Sequence, residues 1–228
     1  MLPYGAPVGN LLARVLPLAV GAAISPTVLT AGVLILCSKR RPVARGAVFT
    51  VGVLVVLVAL TVLGLTVLDR FAHHHPSATE RAVSDGIDLV LGIVLLALAV
   101  RTALRPPDPT RHSEPERPRD QGGLGAAFVV GLVVMATNVT TIVLYIPMMK
   151  DIGRADVSDA DQALVVLLVL VIVSLPAWLP LALRVVAPRP SERALVRLEA
   201  VTTKHRRTII LVVEVAFGVY LLLKGIGV

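Results

Sequence analysis

Six apolar stretches alternate with short polar and charged segments along the chain. A helix rises about 1.5 Å per residue, so about 20 apolar residues cross the ~30 Å hydrocarbon core of a bilayer. The stretches cover residues 15–37, 43–68, 87–104, 124–149, 163–186 and 208–228. They predict an all-α membrane protein with six transmembrane helices. A capping-box pattern at residues 77–80 predicts that the third helix begins before the bilayer core.

The composition supports the same class of protein. The chain has 228 residues, of which 56% are hydrophobic and 16% charged, and its mean hydropathy is +0.84. These values are typical of a polytopic membrane protein. Aromatic residues make up 4%, too few for a surface that stacks nucleotide bases, so we predict no nucleic-acid partner. Residues 16–23 resemble a signal-peptide core, but the apolar run continues to residue 36, which predicts a retained first span.

Positive charges concentrate in three of the loops between the stretches, which hold 16 of the 22 Lys and Arg residues. By the positive-inside rule, such loops face the cytoplasm. We therefore predict a multi-pass protein of the plasma (inner) membrane with both chain ends on the outer side. The residues are Lys39, Arg40, Arg41, Arg45, Arg101, Arg105, Arg111, Arg117, Arg119, Arg184, Arg189, Arg193, Arg197, Lys204, Arg206 and Arg207.

Residues 105–123 divide the chain into two halves. This segment is rich in Pro, Arg, Asp and Glu and cannot bury a core, so we predict a flexible cytoplasmic linker. Residues 1–104 and 124–228 then hold three spans each, and this odd number makes the halves enter the membrane in opposite directions. At residues 191–204, apolar residues one helical turn apart between charges predict an amphipathic helix on the inner membrane surface.

The two halves share a sequence pattern that indicates a duplication. Asp88 precedes Gly92 by four residues in the third stretch, and Glu214 precedes Gly218 by four in the sixth. A Leu pair follows each glycine at the same offset. Polar residues also interrupt the first stretch at 25–27 and the fourth at 137–141. We therefore predict two inverted three-helix repeats, an arrangement common among transporters.

The first polar interruption, Ser25-Pro26-Thr27, predicts a break in the first span. Proline has no N–H and removes the hydrogen bond to the carbonyl four residues earlier, here that of Ala22. Inside a membrane that carbonyl needs another donor, and we expect Ser25 or Thr27 to supply it or to line a cavity. Broken helices form the binding sites of many secondary transporters, although a kink healed by its own hydroxyls has the same pattern.

The second polar interruption lies in the fourth span and combines hydroxyls with an amide. Such a group can bind a substrate, and it can equally hold helices together through hydrogen bonds. We take the two interruptions together as the candidate substrate-binding site. Its residues are Ser25, Pro26, Thr27, Thr137, Asn138, Thr140 and Thr141.

Two acidic residues in apolar stretches are candidates for proton coupling. A carboxylate at the centre of a membrane costs about 2.5–3.5 kcal/mol, so Glu214 should face the bundle interior and have a partner. Burial disfavours the charged form, which suits a residue that takes up and releases a proton. Alternatively, Glu214 is structural and is held by hydroxyls or reaches the inner interface beside Arg206 and Arg207. Asp88 lies near the outer interface, where we expect an exposed acid at the start of a helix.

The histidine run His73-His74-His75 is the sequence feature most similar to a metal site. Adjacent histidines do not share a helix face, and no Cys or nearby acid completes a ligand set, so we interpret the run as a polar outer loop. The chain contains no GxSxG, HExxH, Walker or dinucleotide-binding motif. We predict a protein that is not an enzyme and has no metal ion and no cofactor.

Residues 20–55 resemble the start of a known family. Ser25-Pro26, the basic turn at 38–42 and the sequence ARGAVFTVG at 44–52 are similar to the GAP family, the actinobacterial sulfolipid- and glycopeptidolipid-addressing proteins of the lysine exporter (LysE) superfamily. The span count and the linker extend the resemblance over the whole chain. The superfamily has an Asn-Pro pair in the fourth span, whereas Val139 follows Asn138 here. The resemblance therefore carries over the asparagine but not the helix break.

The resemblance implies a protein that helps to export an envelope lipid or a small solute, with membrane lipids and this cargo as its partners. In the first hypothesis, the two interruptions face each other and the halves rock around them. In the second, a LysE-like exporter moves amino acids or cations, driven by protons through Glu214. In the third, the chain is a non-transporting accessory subunit of a larger lipid-export complex, and its basic surface docks a partner or anionic lipid. Spans rich in Gly, Ala and Val also permit a homodimer.

The packing of the protein centre distinguishes the first hypothesis from the third. A polar cavity that reaches the middle of the membrane favours transport. A packed core in which the polar groups bond one another favours the accessory role, because unpaired polar groups are costly in an apolar environment.

Overall fold

The computed structural model describes residues 6–38, 40–69, 78–104, 123–186 and 188–226, and these residues form helices and no strands. This confirms the prediction of an all-α membrane protein. The helices are α1 (Ala6–Ala23), α2 (Pro26–Leu36), α3 (Pro42–Asp69), α4 (Ala78–Leu104), α5 (Leu124–Ala136), α6 (Val139–Gly153), α7 (Asp159–Val173), α8 (Leu175–Val186) and α9 (Pro188–Gly225).

Three of these helices are long and apolar enough to cross a membrane alone. The crossing parts of α3, α4 and α9 are Pro42–Thr66, Asp85–Leu104 and Ala200–Gly225, with mean hydropathies of 2.8, 2.3 and 2.0. The other helices form three bent pairs. The bends are 51° between α1 and α2, 68° between α5 and α6, and 68° between α7 and α8. When each pair counts as one span, the six crossings follow the order of the apolar stretches.

The ends of several helices differ from the apolar stretches. Helix α1 begins at Ala6, well before the first stretch. Helix α4 begins at Ala78, which confirms that the third helix starts ahead of its stretch. Residues 191–204 are helical, but they belong to α9 and continue into the sixth span without a break. Most side chains of 191–199 lie outside the described part, so their amphipathic character stays a prediction.

Two predictions fall on residues that the structure does not describe. The linker predicted at 105–123 lies outside the described residues except for Gly123, which is the N-cap of α5. The histidines His73, His74 and His75 also lie outside the described residues. The interpretation of these two segments as a flexible linker and a polar outer loop therefore stays a prediction.

Helix α3 shows how a span divides its surface between the protein core and lipid. Phe49, Val53 and Leu57 are almost completely buried. Valines at helical spacing on another face are about half exposed, and they form a continuous apolar stripe. Lipid tails are as apolar as these side chains, so the stripe suits a lipid-facing surface. It consists of Val51, Val55, Val58 and Val62.

Glycines allow two pairs of helices to pack closely. Gly52 of α3 faces Gly131 of α5, and a Cβ built at Gly52 would lie 2.5 Å from the Phe128 carbonyl. Gly92 of α4 faces Gly218 of α9, and a Cβ built at Gly92 would lie 3.0 Å from the Gly218 carbonyl. Small residues at such crossings let membrane helices approach each other. Each crossing joins a helix of residues 1–104 to a helix of residues 124–228.

A break at Ser174 separates α7 from α8. Pro176, in the first turn of α8, supplies no N–H to the preceding turn. The Ser174 hydroxyl donates to the Leu170 carbonyl at 2.6 Å, and the Trp178 indole N–H donates to the Val171 carbonyl at 3.0 Å. These side chains therefore donate hydrogen bonds to backbone carbonyls around the bend. Lipid tails cannot supply such hydrogen bonds.

Candidate functional site

The first span breaks between Ala23 and Pro26, as predicted. Ser25 has extended backbone angles (φ −118°, ψ 94°), and its hydroxyl accepts a hydrogen bond from the Val28 N–H at 3.4 Å, so Ser25 is the N-cap of α2. Pro26 is the first residue of α2, a position where the missing N–H costs no helical hydrogen bond. Both Ser25 and Pro26 are buried.

The fourth span also breaks, and the expectation that a helix break does not carry over to Asn138 is wrong. Helix α5 ends at Ala136 and α6 begins at Val139, with no proline between them. Asn138 has non-helical backbone angles (φ −81°, ψ 77°), and its Oδ1 accepts from the Thr141 N–H at 3.4 Å. An asparagine side chain competes with the backbone for local donors and so stabilises a helix start. The break therefore needs a capping residue and not a proline.

The two breaks are in direct contact. Nδ2 of Asn138 donates to Oγ of Ser25 at 2.7 Å, and Oγ1 of Thr141 donates to the Ala22 carbonyl at 3.1 Å. This carbonyl belongs to the last turn of α1 and has no helical partner, because α1 ends at Ala23 and Ser25 is extended. Its donor is thus a hydroxyl from the other half of the chain, and the expectation that Ser25 or Thr27 supplies it is wrong. We call Ser25, Asn138, Thr141 and the Ala22 carbonyl the central junction.

The remaining predicted threonines lie around the central junction in different ways. Thr140, in the first turn of α6, donates to Oε1 of Glu214 at 3.4 Å. Thr27, in the first turn of α2, accepts from Nη2 of Arg206 at 3.1 Å. Thr137 is exposed, and its hydroxyl donates to a carbonyl of the preceding turn of α5 at 2.7 Å. Thr27 and Thr140 therefore connect the breaks to α9, whereas Thr137 bonds only within its own helix.

Glu214 is 3% exposed and faces the interior of the bundle, as predicted. Its carboxyl oxygens accept hydrogen bonds from Oγ1 of Thr102 in α4, at 3.1 Å, and from Oγ1 of Thr140 in α6, at 3.4 Å. Hydroxyls are thus its partners. Arg206 bonds to Thr27, and Arg207 donates to carbonyls at the end of α4. Glu214 therefore links α9 to two other helices beside the central junction.

Asp88 is not the exposed acid that we expected. It is 1% exposed, and its Oδ2 lies 2.5 Å from Nζ of Lys150 and 3.3 Å from Nζ of Lys224. Lys224 also pairs with Asp151 at 2.7 Å. The cause is tertiary, because the ends of α6 and α9 bring these lysines to the start of the crossing part of α4. Pairing offsets the cost of burying the charges. We call the four side chains the outer charged cluster, after the side of the membrane on which the positive-inside rule predicts them.

A cavity of about 420 Å³ lies at the outer charged cluster. It occupies the end of the bundle where α1 and α4 begin and α6 and α9 end, so both halves of the chain line it. Its lining contains four basic and four acidic side chains, which suits a polar or zwitterionic group better than a ligand of a single charge. The residues of the central junction are not part of this lining. The charged residues beyond the cluster are Arg14, Asp85, Arg154 and Asp156.

Sequence reasoning missed Lys150, Asp151, Lys224 and Thr102. Lys224 lies within the sixth apolar stretch, and an ionisable residue inside a span is a signal of a buried partner. Lys150 directly follows the fourth stretch. Lys150 was assigned to a loop and Lys224 to the C-terminal end, which hid the fact that both end their spans at the same end of the bundle as Asp88. A threonine such as Thr102, near the end of an apolar helix, gives no comparable signal.

The central junction is built from uncharged hydrogen-bonding groups. A hydroxyl can donate and accept, an amide has both functions, and the Ala22 carbonyl accepts. A cargo that carries hydroxyl, ester or amide groups can therefore exchange hydrogen bonds with the junction. Among the residues that the structure describes, no group of three His, Cys, Asp or Glu side chains could hold a metal ion.

Comparison with known proteins identifies the family. Residues 15–227 match the family model described as Sap, sulfolipid-1-addressing protein. No curated protein and no solved structure matches the chain. The matched range includes both breaks of the central junction and all four residues of the outer charged cluster. Because this match covers most of the chain, the protein belongs to the sulfolipid-1-addressing protein family.

Proposed function

We propose that this protein exports an envelope lipid across the plasma membrane and that the cargo passes at the central junction. Membership of the family indicates a role in lipid addressing. The observation that carries the proposal is the 2.7 Å hydrogen bond between Asn138 and Ser25, which joins two broken spans from different halves of the chain. Broken helices that meet between two halves are typical of the binding sites of secondary transporters.

The proposal includes an inverted repeat of residues 1–104 and 124–228, with the central junction near its pseudo-twofold axis. Ser25 and Asn138 each cap the second helix of a broken span. Gly92 and Gly218 hold the same place in the shared sequence pattern, and they contact each other where α4 crosses α9. Equivalent residues meet in this way when a twofold axis passes between them. These features also support the proposed placement in the LysE superfamily.

In the proposed mechanism, the described structure is a state with a closed centre. The groups of the central junction bond one another, and the 420 Å³ cavity lies on the side that the positive-inside rule places outside. As one half rocks against the other, the Ser25–Asn138 and Thr141–Ala22 bonds exchange for bonds to the cargo. A hydrogen bond between membrane helices contributes only about 0.6 kcal/mol on average, so opening the junction costs little.

A non-transporting accessory role is the second candidate, and the closed centre favours it. The hydroxyl, amide and carbonyl groups of the central junction have partners within the protein, as in a packed scaffold. Proteoliposomes that contain only this protein and its lipid cargo separate the two roles. A transporter moves the lipid between leaflets without further proteins, whereas an accessory subunit leaves its distribution unchanged.

A proton-coupled exporter of amino acids or cations is the third candidate, and the burial of Glu214 between α4, α6 and α9 favours it. Glu214→Gln keeps a hydrogen-bond acceptor but removes the site that takes up a proton. In proteoliposomes, this candidate requires efflux that responds to a pH gradient with the native chain and loses the response with Glu214→Gln. Efflux that does not respond to a pH gradient and is not altered by Glu214→Gln rules out this candidate.

The export proposal is tested by profiling surface lipids. A strain lacking the protein is complemented with the native chain, with Asn138→Ala, or with Ser25→Ala combined with Pro26→Ala. Thr66→Ala is the matched control, because Thr66 is exposed and its hydroxyl donates to carbonyls of its own helix. Mass spectrometry of surface extracts then measures which lipids each strain presents, and immunoblots of membranes establish equal protein levels.

We expect at least one lipid to be absent from the surface of the deletion strain and to accumulate inside the cell. The native chain and Thr66→Ala should restore it, and the variants of the central junction should not. The restored lipid then identifies the cargo. Normal surface levels with the junction variants would refute the role of the junction.

A further inference from the structure

Arg45 is buried without a partner in the described part of the protein. Only 4% of its surface is exposed, and its Nε and Nη1 atoms have no hydrogen-bond partner among the described residues. The ion pairs found there join Asp88 and Asp151 to lysines and do not involve Arg45. A buried charge is costly unless it is paired, so this guanidinium calls for an anion.

Arg45 lies on the face of α3 that packs against α5. Residues spaced like 45, 49 and 52 share one side of a helix. A Cβ built at Gly131 of α5 would touch the Phe49 carbonyl and lie 3.3 Å from the Gly52 Cα. Arg45 thus extends the buried contact stripe of α3 and does not belong to its lipid-facing side.

The spans that contain α3 and α5 run in the same direction. Gly52 of α3 lies opposite Gly131 of α5, and farther along the two spans Gly64 of α3 contacts Met149 of α6. Counting back from the glycine pair along both helices places Arg45 level with the first residue of α5.

Arg45 therefore lies where two helices begin side by side. Gly123 precedes α5 and supplies no side-chain cap, and the first turns of α3 and α5 contain no acidic residue. The unpaired N–H groups and the helix dipole give such ends partial positive charge. A helical side chain slopes toward the N-terminus of its own helix, so the Arg45 guanidinium points toward the same end.

We propose that Arg45 and the N-terminus of α5 bind a tetrahedral oxyanion, either the phosphate or sulfate ester of a lipid headgroup or the free anion. A guanidinium presents a planar fork of donors to two oxygens, and helix N–H groups bond the remaining oxygen. Ser38, just after α2 at the same end, also has a buried Oγ without a partner among the described residues. The site lies at the end of the bundle predicted to face the cytoplasm. It goes beyond the export proposal, because binding there requires no transport.

The test measures the thermal unfolding midpoint of the purified full-length protein in maltoside detergent micelles, which contain no phosphate or sulfate group. The probes are inorganic phosphate, inorganic sulfate, phosphatidic acid and a sulfated glycolipid. The variants are Arg45→Met and Arg45→Lys, with Arg40→Met as the control because Arg40 is exposed at the same end. A ligand that binds the folded state raises the midpoint in a saturable way.

We expect a probe to stabilise the native chain and Arg40→Met alike, and Arg45→Met to need at least about tenfold more of it. Arg45→Lys should bind more weakly than the native chain, because it keeps the charge but loses the fork. Without a probe, Arg45→Met should unfold at a higher temperature than the native chain, since it removes an unpaired buried charge. A merely structural arginine would show the reverse.

The probes distinguish the source of the anion. Stabilisation by the two anionic lipids alone assigns the site to a headgroup, and equal stabilisation by the inorganic anions assigns it to the free anion. Should Arg45→Met fail to fold, Arg45→Lys carries the comparison. Stabilisation by no probe, or equal probe affinity in the native chain and the Arg45 variants, overturns the inference. Since no export is measured, failure of the export proposal cannot produce this outcome.

Discussion

The two broken spans reach the same local geometry from different sequences. In each, the residue before the second helix caps it by accepting from the N–H three residues later, at 3.4 Å. Pro26 follows the cap in the first span, and Val139 follows it in the fourth. The bend is 51° with the proline and 68° without it. The capping side chain, and not the proline, is therefore common to both breaks.

The first break is stabilised by both its capping residue and its proline, whereas the second is stabilised only by hydrogen bonds. Proline disfavours helical angles at the residue before it, so Pro26 keeps Ser25 extended even without a cap. Asn138 has no such neighbour and relies on its bonds to Thr141 and Ser25. We therefore expect the second break to be easier to remove by mutation.

The first turns after the caps also differ in their charged partners. Thr27 of α2 accepts from Arg206, whereas Thr140 of α6 donates to Glu214. Both partners belong to α9, so one helix contacts the first break through a basic side chain and the second through an acidic one. An acid near a helix N-terminus is favourable and a base is not. A movement of α9 would therefore affect the two breaks differently.

Asn138→Ala should have the largest effect, because it removes both the cap of α6 and the bond to Ser25. We expect the free energy of unfolding to fall by about 1–2 kcal/mol and the α5–α6 bend to decrease, since alanine favours a continuous helix. Circular dichroism during unfolding in mixed micelles measures the first change, and spin-label distances across the bend measure the second. Thr137→Ala is the control, because Thr137 bonds only within α5. An equal loss with the control would contradict the role given to Asn138.

Ser25→Ala should have the second largest effect, a loss of about 1 kcal/mol of unfolding free energy. The α1–α2 bend should persist, because Pro26 still disfavours helical angles at residue 25. The same unfolding and spin-label measurements apply. If the first span straightened as much as the fourth span does in Asn138→Ala, the proline would have no part in securing the break.

Thr141→Val should have the third largest effect. It preserves the side-chain shape but removes the hydrogen-bond donor to the Ala22 carbonyl. We expect a loss of about 0.6 kcal/mol, the usual contribution of one hydrogen bond between membrane helices. Both bends should remain, since neither cap is changed. Unfolding in mixed micelles checks this value, and an unchanged stability would show that the 3.1 Å contact is not stabilising.

Pro26→Ala should have the smallest effect, within about 0.5 kcal/mol, because Thr141 already satisfies the Ala22 carbonyl and Ser25 still caps α2. Combined with Thr141→Val, however, Pro26→Ala supplies an N–H that can bond the Ala22 carbonyl in molecules whose first span becomes helical through Ser25. The loss caused by Thr141→Val should therefore shrink in the double variant. A double variant that loses the full amount would show that the carbonyl needs its partner from α6.

Local signals in the sequence predict the spans and the first break. Each apolar stretch is long enough to reveal a crossing, and Ser25-Pro26 marks a helix start by itself. The break at Asn138 lacks the proline that makes such a start visible. Its bond to Ser25 joins residues more than a hundred positions apart. Sequence reasoning could name both residues as site candidates, but it could not show that the junction is closed.

The charged residues were harder to place, because burial depends on distant partners. Asp88 resembles an exposed helix-start acid until Lys150 and Lys224 are brought to it by other spans. Arg45 resembles one of several loop cations, yet it is buried in the fold. Charge patterns along the chain predict an orientation in the membrane. They do not reveal which charges the packed helices enclose.

A double-mutant cycle between Ser25→Ala and Asn138→Ala tests most directly whether the two breaks form one junction. The unfolding free energy is measured for the native chain, both single variants and the double variant in mixed micelles. We predict that the double variant loses less than the sum of the single losses, by about 0.6 kcal/mol, because each single change already breaks the shared hydrogen bond. Losses that add within error would contradict a shared junction.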